Sequence, residues 1–160
     1  MISTTILSAR VEFIERAFAR PLVLSSGAIT HVTEARAFVR VRVGEREAEG
    51  IGSIYLSDLW GWPDPTLTHA ERDSAMRTYT ETLTANLSAL CGTPDHPLTL
   101  GLRLHESVLA DSSPIPPLAR LICLAPLDAA LHDATGQALQ QNALDLYTDF
   151  RQTKGMLGPA

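Results

Sequence analysis

Residues Pro117–Gly136, PLARLICLAPLDAALHDATG, decide how the rest of the chain is read. Their apolar side chains recur at three- and four-residue spacings, which predicts a helix. They do so on two sides. Leu118, Leu121, Ile122, Ala125 and Ala129 line one; Leu124, Leu127, Leu131, Ala134 and Ala138 line the other. A helix apolar on two sides is expected to lie buried between two layers, as the spine of a domain.

Ahead of the spine the periodicity is that of strands. Ala37, Val39, Val41 and Val43 alternate with Phe38, Arg40 and Arg42, so Ile29–Val43 reads as a strand with one buried and one wet face. A first strand is expected over Ile6–Phe18, and a third over Ala48–Leu56 after a turn at Gly44–Glu47. Gly50 and Gly52 in the third strand imply a bulge or the close approach of another backbone. Between the first two strands, Pro21 and the cluster Ser25-Ser26-Gly27 are breakers, so Arg20–Gly27 reads as an apolar loop carrying Leu22, Val23 and Leu24.

The segment Ser53–Pro65 holds both tryptophans, with Gly61, Pro63 and Pro65 opposing regular structure. Aromatic side chains on such a segment serve either ligand contact or core filling. Trp62 leans towards core filling. Thr68-His69-Ala70-Glu71 is a capping-box pattern that opens a helix ending at Cys91-Gly92, with Met76, Tyr79, Leu83, Leu87 and Leu90 as its stripe. A further helix is expected over Leu98–Ala110. Ser112–Pro117 is a stiff connector. The spine is expected to stop at Gly136, and Asn142 to cap a short helix reaching Phe150. Three strands followed by helices give an α+β domain, a three-stranded antiparallel meander backed by three to four helices. The domain is expected over residues 1–150, with 151–160 a frayed tail.

Composition bounds the function. The 160 residues are 45% hydrophobic and 19% charged, with a formal net charge of -5. That balance disfavours nucleic acid and anionic membrane as partners, because neither finds the dense positive field it requires. No leader pattern and no bilayer-length apolar run are evident, so a cytoplasmic location is the default expectation. Cys91 and Cys123 are expected to be free, buried thiols.

In order and spacing these features resemble the N-terminal capping domain of the mandelate racemase/muconate lactonizing enzymes of the enolase superfamily. The resemblance is carried by Ala125-Pro126-Leu127-Asp128-Ala129-Ala130-Leu131-His132-Asp133-Ala134-Thr135-Gly136, the following Asn142–Tyr147, the loop ending Ser25-Ser26-Gly27, and Gly50-Ile51-Gly52. Two departures stand out. Pro126 lies inside the spine, where it removes a backbone donor. Asn142–Ala160 also lacks the Gly-Gly ending usual where this family passes into its barrel.

The resemblance implies a two-part enzyme. A β/α barrel would hold Mg²⁺ and the lysines and carboxylates that abstract a proton next to a substrate carboxylate, as a racemase, cycloisomerase or dehydratase. These residues contain no such strand and a single lysine, Lys154. No catalytic residue, metal ligand or cofactor is therefore expected within them. The family pattern leaves the cap two loops that close over the barrel and select a small carboxylate substrate, here Leu22–Ala28 and Ser53–Trp62. Their substrate-contacting candidates are Leu24, Ser25, Ser26, Ser53, Tyr55 and Trp60. The barrel is then the partner, and the parent enzyme is expected to be a homo-oligomer.

The alternative reading is a stand-alone protein-binding module whose apolar loops are a partner surface. A small hydrolase built on His132-Asp133 is weaker. The doublet lacks further histidines at a metal-binding spacing, and His132 reads as a helix-surface residue paired with Asp128. Ser25-Ser26-Gly27 lacks the glycine of a nucleophile elbow, and Gly50-Ile51-Gly52 lacks the third glycine of a dinucleotide fingerprint.

Overall fold

A computed structural model describes residues 2–24 and 27–148. Three strands, β1 (Thr4–Leu24), β2 (Gly27–Val43) and β3 (Arg46–Tyr55), form one antiparallel sheet in the order β1-β2-β3. Four helices follow: α1 (Asp58–Gly61), α2 (His69–Cys91), α3 (Pro97–Ala110) and α4 (Pro117–Leu139). A 3₁₀ turn at Ala143–Asp145 comes last, and the Asn142 side chain caps it by accepting from the Leu144 N–H at 3.0 Å. The expected α+β meander with helical backing is the observed fold.

The alternation in β2 sorts the sheet as expected. Ala35, Ala37, Val39 and Val41 are completely buried against the helices. Arg40 and Arg42 stand on the opposite, wet face. The β2–β3 turn is tighter than expected, two residues at Gly44 and Glu45, and Arg46 already pairs with Val43.

α4 lies across β3 and β2 with α2 and α3 packed against it. The contact with β3 has no room for side chains. A Cβ on Gly50 would fall 2.1 Å from the Ala134 nitrogen and 2.4 Å from the Ala130 carbonyl oxygen; one on Gly52 would fall 2.0 Å from the Pro126 carbonyl oxygen. The two glycines therefore mark the close approach of another backbone, not a bulge. Asp133 adds a polar strap, its carboxylate accepting from the Ile51 N–H at 2.8 Å. This occupies a donor on the open edge of β3, which would otherwise be free to pair with another strand.

Two expectations about the spine are corrected. It runs to Leu139 and ends at Gln140 in the left-handed conformation. Gly136 lies inside it because a Cβ there would meet the Gln141 carbonyl oxygen at 2.9 Å as the chain turns back. Its two sides are also not equally covered. Leu124, Leu127, Leu131, Ala134 and Ala138 are buried, whereas Leu118 and Ala129 are exposed and only Ile122 of the other stripe is buried. α4 continues through Pro126, which is buried.

The stretch read as a loop at Arg20–Gly27 is a correction too. β1 stays paired with β2 as far as Leu24 opposite Gly27. Pro21 is accommodated because it falls in an irregularity between the pairs Ala17–His31 and Leu22–Ile29, where no ladder donor is required. β3 pairs with β2 only from Glu34 onward, so the β1–β2 ribbon projects past the third strand as a two-stranded arm. The proposed tail at 151–160 and the last residues of the final helix, 149–150, lie outside the described residues.

The contact between β3 and α4 yields a sharp expectation. Gly50→Ala should lower stability by about 3 kcal/mol or more, because the clash is with backbone and neither element can yield alone. Ile51→Ala, on the exposed face, should cost under about 1 kcal/mol. Urea unfolding midpoints of the two variants check the contrast.

Candidate functional site

β1 and β3 run the same way, so the tip of the β1–β2 arm and the end of β3 lie at the same end of the sheet. Both expected loops therefore lie towards one end of the sheet, with the arm extending past the end of β3. The second of them is anchored at both ends. Leu56 is fully buried, its N–H donating to the Thr33 carbonyl at 2.8 Å, and Trp62 is 9% exposed, the core filler expected. Gly61 and the prolines do not keep the segment irregular, as was expected: residues Asp58–Gly61 close into the short helix α1.

The buried carboxylate of Asp58 fixes that helix. Its Oδ2 accepts from Arg72 Nε at 2.9 Å, and its Oδ1 lies 2.9 Å from His69 Nδ1. Arg72 is itself buried and also donates to the carbonyl oxygens of Asp64 and Leu67. Between these anchors Tyr55 and Trp60 point outward, 53% and 66% exposed. Leaving an indole in water forfeits on the order of 2 kcal/mol of burial. On a mount this firmly held, exposure is a property of the fold and not of a loose loop.

Of the other candidates, Ser53 is exposed and donates from Oγ to Glu34 Oε1 at 2.9 Å. Leu24 closes the last described pair of β1. Ser25 and Ser26 lie outside the described residues. On the arm, Phe18, Leu22 and Val23 are exposed at 41%, 46% and 76%.

Sequence reasoning missed the carboxylate that joins the two loops at their base. Glu34 lies on the polar face of the sheet, directly opposite Tyr55, yet is 6% exposed. It accepts from Arg36 Nη2 at 2.9 Å, from Arg16 Nε at 2.7 Å and from Ser53. These donors, Arg36 foremost, hold its carboxyl well below the usual range, at about 2, against the opposing effect of burial. Arg16 stands at the root of the arm and Ser53 near the end of β3, so one carboxylate ties both together. The alternation of polar residues showed only a wet face. Nothing in it singled out one member as buried.

The rival sites resolve into structural roles. His132 is buried, not on the helix surface; its pairing with Asp128 is present, Nε2 to Oδ1 at 3.6 Å, with His105 at 3.8 Å on the other oxygen. Burial pushes the Asp128 carboxyl up, but hydrogen bonding and charge from the two histidines outweigh it and leave the pKa lowered. Asp133 is occupied by the β3 edge and by Gln137. Cys91 and Cys123 are buried and unbridged, and burial pushes their thiols up to about 12 and about 11. Such thiols are inert as nucleophiles near neutral pH. Among the described residues no group of three histidine, cysteine, aspartate or glutamate side chains could hold a metal ion.

The backbone trace is shared with known structures. The fold is enolase N-terminal-like. It matches an enolase from Bradyrhizobium, solved with magnesium and mandelic acid, at a TM-score of 0.59 and 15% identity, over 92% of this chain and 36% of that one. A muconate lactonizing enzyme from Pseudomonas fluorescens, complexed with muconolactone, matches at 0.55 and 18% identity over 85% and 32%. A mandelate racemase/muconate lactonizing enzyme-like protein from Rubrobacter xylanophilus matches at 0.55 and 12% over 88% and 33%. The chain thus spans about a third of the length of these proteins. No protein-family model and no curated protein sequence matches it.

Glu34 is a testable tie. Its lowered pKa means the bonded carboxylate stabilises the fold above about pH 4.5, and that contribution is lost as pH falls towards 2. Glu34→Gln should therefore cost about 1–3 kcal/mol at pH 7. The gap between variant and parent should close as unfolding is repeated at successively lower pH.

Proposed function

We propose that this chain acts as the capping, substrate-selecting domain of an enzyme of the mandelate racemase/muconate lactonizing type, set over a β/α barrel that carries the chemistry. One observation supports this above the rest: the fold accounts for nearly all of this chain and only about a third of its structural neighbours. On this reading the parent reaction is proton abstraction next to a carboxylate. Any Mg²⁺ the parent enzyme uses would be held by the barrel.

The work left to this chain is selection and exclusion of water. Leu22 and Val23 on the arm and Tyr55 and Trp60 beside it are exposed apolar side chains at one end of the sheet. Closed over a barrel mouth, they would displace solvent from the reacting carbon and touch the part of the substrate remote from it. Ser53 at the base would supply a hydroxyl to a polar substrate group, with Ser25 and Ser26 as further candidates outside the described residues. Glu34 would keep the arm and the aromatic mount in fixed relation.

The same exposed side chains are what favour the second reading, a stand-alone protein-binding module. The coding sequence beyond codon 160 separates the two when expressed together with the chain. A following barrel with a Lys-x-Lys-type strand and three acidic strand ends is expected. The joined protein should then exchange the proton next to the carboxylate of some member of a carboxylic-acid panel in deuterium oxide. Trp60→Ala should lower kcat/KM for that acid by about tenfold while leaving Tm nearly unchanged. A downstream sequence without those strand ends, or exchange indifferent to Tyr55 and Trp60, overturns the cap reading.

A further inference from the structure

Asp58, His69 and Arg72 form a constellation that substrate exclusion does not use. His69 is the first residue of α2, and its side chain is half exposed, whereas Asp58 and Arg72 are almost fully buried. The charge of Asp58 is already met by Arg72, whose Nε lies 2.9 Å from Oδ2. A second ion partner is not needed for neutrality, and a half-exposed side chain adds little packing. The imidazole is nonetheless held, Nδ1 to Asp58 Oδ1 at 2.9 Å.

That bond fixes the chemistry of the ring. A carboxylate paired with an arginine accepts hydrogen bonds and cannot donate them, so Nδ1 must carry the proton. In the neutral ring Nε2 is then a bare lone pair, and it has no partner among the described residues. A buried acid that orients an imidazole through Nδ1 and leaves Nε2 free is the arrangement of a general base, with the acid stabilising the imidazolium that forms. Asp58 belongs to α1, the short helix that also carries Trp60, and His69 opens α2.

We propose that Asp58 and His69 are a proton-accepting dyad, with His69 Nε2 receiving a hydrogen bond or a proton from an O–H or N–H group of a ligand. If the proton transfers, it moves from the ligand donor to Nε2. The ring becomes an imidazolium facing Asp58, and the proton returns by the same path. Asp58 is the positioning residue, and Arg72 holds Asp58. The inference rests on this geometry and not on the presence of a barrel.

The whole 160-residue chain can be tested with diethyl pyrocarbonate, which acylates a bare imidazole nitrogen, with the modified histidine located by mass spectrometry. His69 should react several-fold faster than His31 and His105, the other exposed histidines used as references, and Asp58→Asn should remove that advantage. Long-range ¹H–¹⁵N NMR of the unmodified chain above pH 8 should show His69 protonated at Nδ1, a readout that survives if Asp58→Asn fails to fold. Reaction no faster than at His31, or a proton on Nε2, overturns the proposal. So does an unfolding midpoint lowered as far by His69→Gln as by Asp58→Asn, because the histidine would then be a structural brace.

Discussion

The architecture depends on backbone meeting backbone where β3 crosses α4. Gly50 and Gly52 present no side chain to the helix, and the helix answers with Pro126, Ala130 and Ala134. The strand therefore sits closer to the helix axis than ordinary packing allows. Close-packed interiors transmit such a constraint because no void exists to absorb a shift. With β3 held down, its end at Tyr55 is fixed, and with it Leu56, Asp58 and the short helix that carries Trp60. The exposed aromatics owe their position to two missing side chains some distance away.

The same contact explains the uneven covering of α4. Its buried stripe from Leu124 to Ala138 is consumed by the sheet and by the facing helices. The other stripe ends at Leu118 and Ala129, which are exposed. Periodicity in the sequence could not separate these cases, because a side chain's spacing reports which face it is on and not whether a neighbour exists. The strand order, the capping box at Thr68, the buried alternation of β2 and the helical backing were legible, since each is set by local period or local chemistry. The capping box is present in both directions, Glu71 N–H to Thr68 Oγ1 at 3.2 Å and Thr68 N–H to Glu71 Oε2 at 2.7 Å.

What was not legible depends on partners distant in sequence. Pro21 and the Ser-Ser-Gly cluster read as loop, yet pairing with β2 carries the strand on to Leu24. Gly136 read as a stop, yet it is the space into which the chain turns back. Glu34 looked like one more solvent-facing acid, and its burial arises only where Arg16, Arg36 and Ser53 converge from three strands. Asp58 and His69 are separated by a Gly- and Pro-rich segment that hides their meeting. The contact candidates Ser53, Tyr55 and Trp60 were taken from the family resemblance, by their position in its second loop; the fold shows that all three are exposed. Their mutual arrangement came only with the fold.

A two-stranded ribbon with no third strand and no hydrophobic face packed on a core has little stability of its own in water. Here it projects beyond β3, with Phe18, Leu22 and Val23 open to solvent and an irregularity at Pro21 that interrupts its ladder. Its root, by contrast, is firmly held through Arg16 and Glu34. A weak tip on a strong root suits an element that orders against something else while keeping its direction. The aromatic mount has the opposite character, rigid before contact. On the proposed reading, the mount would fix the shape a ligand must fit, and the arm would close on whatever fits it.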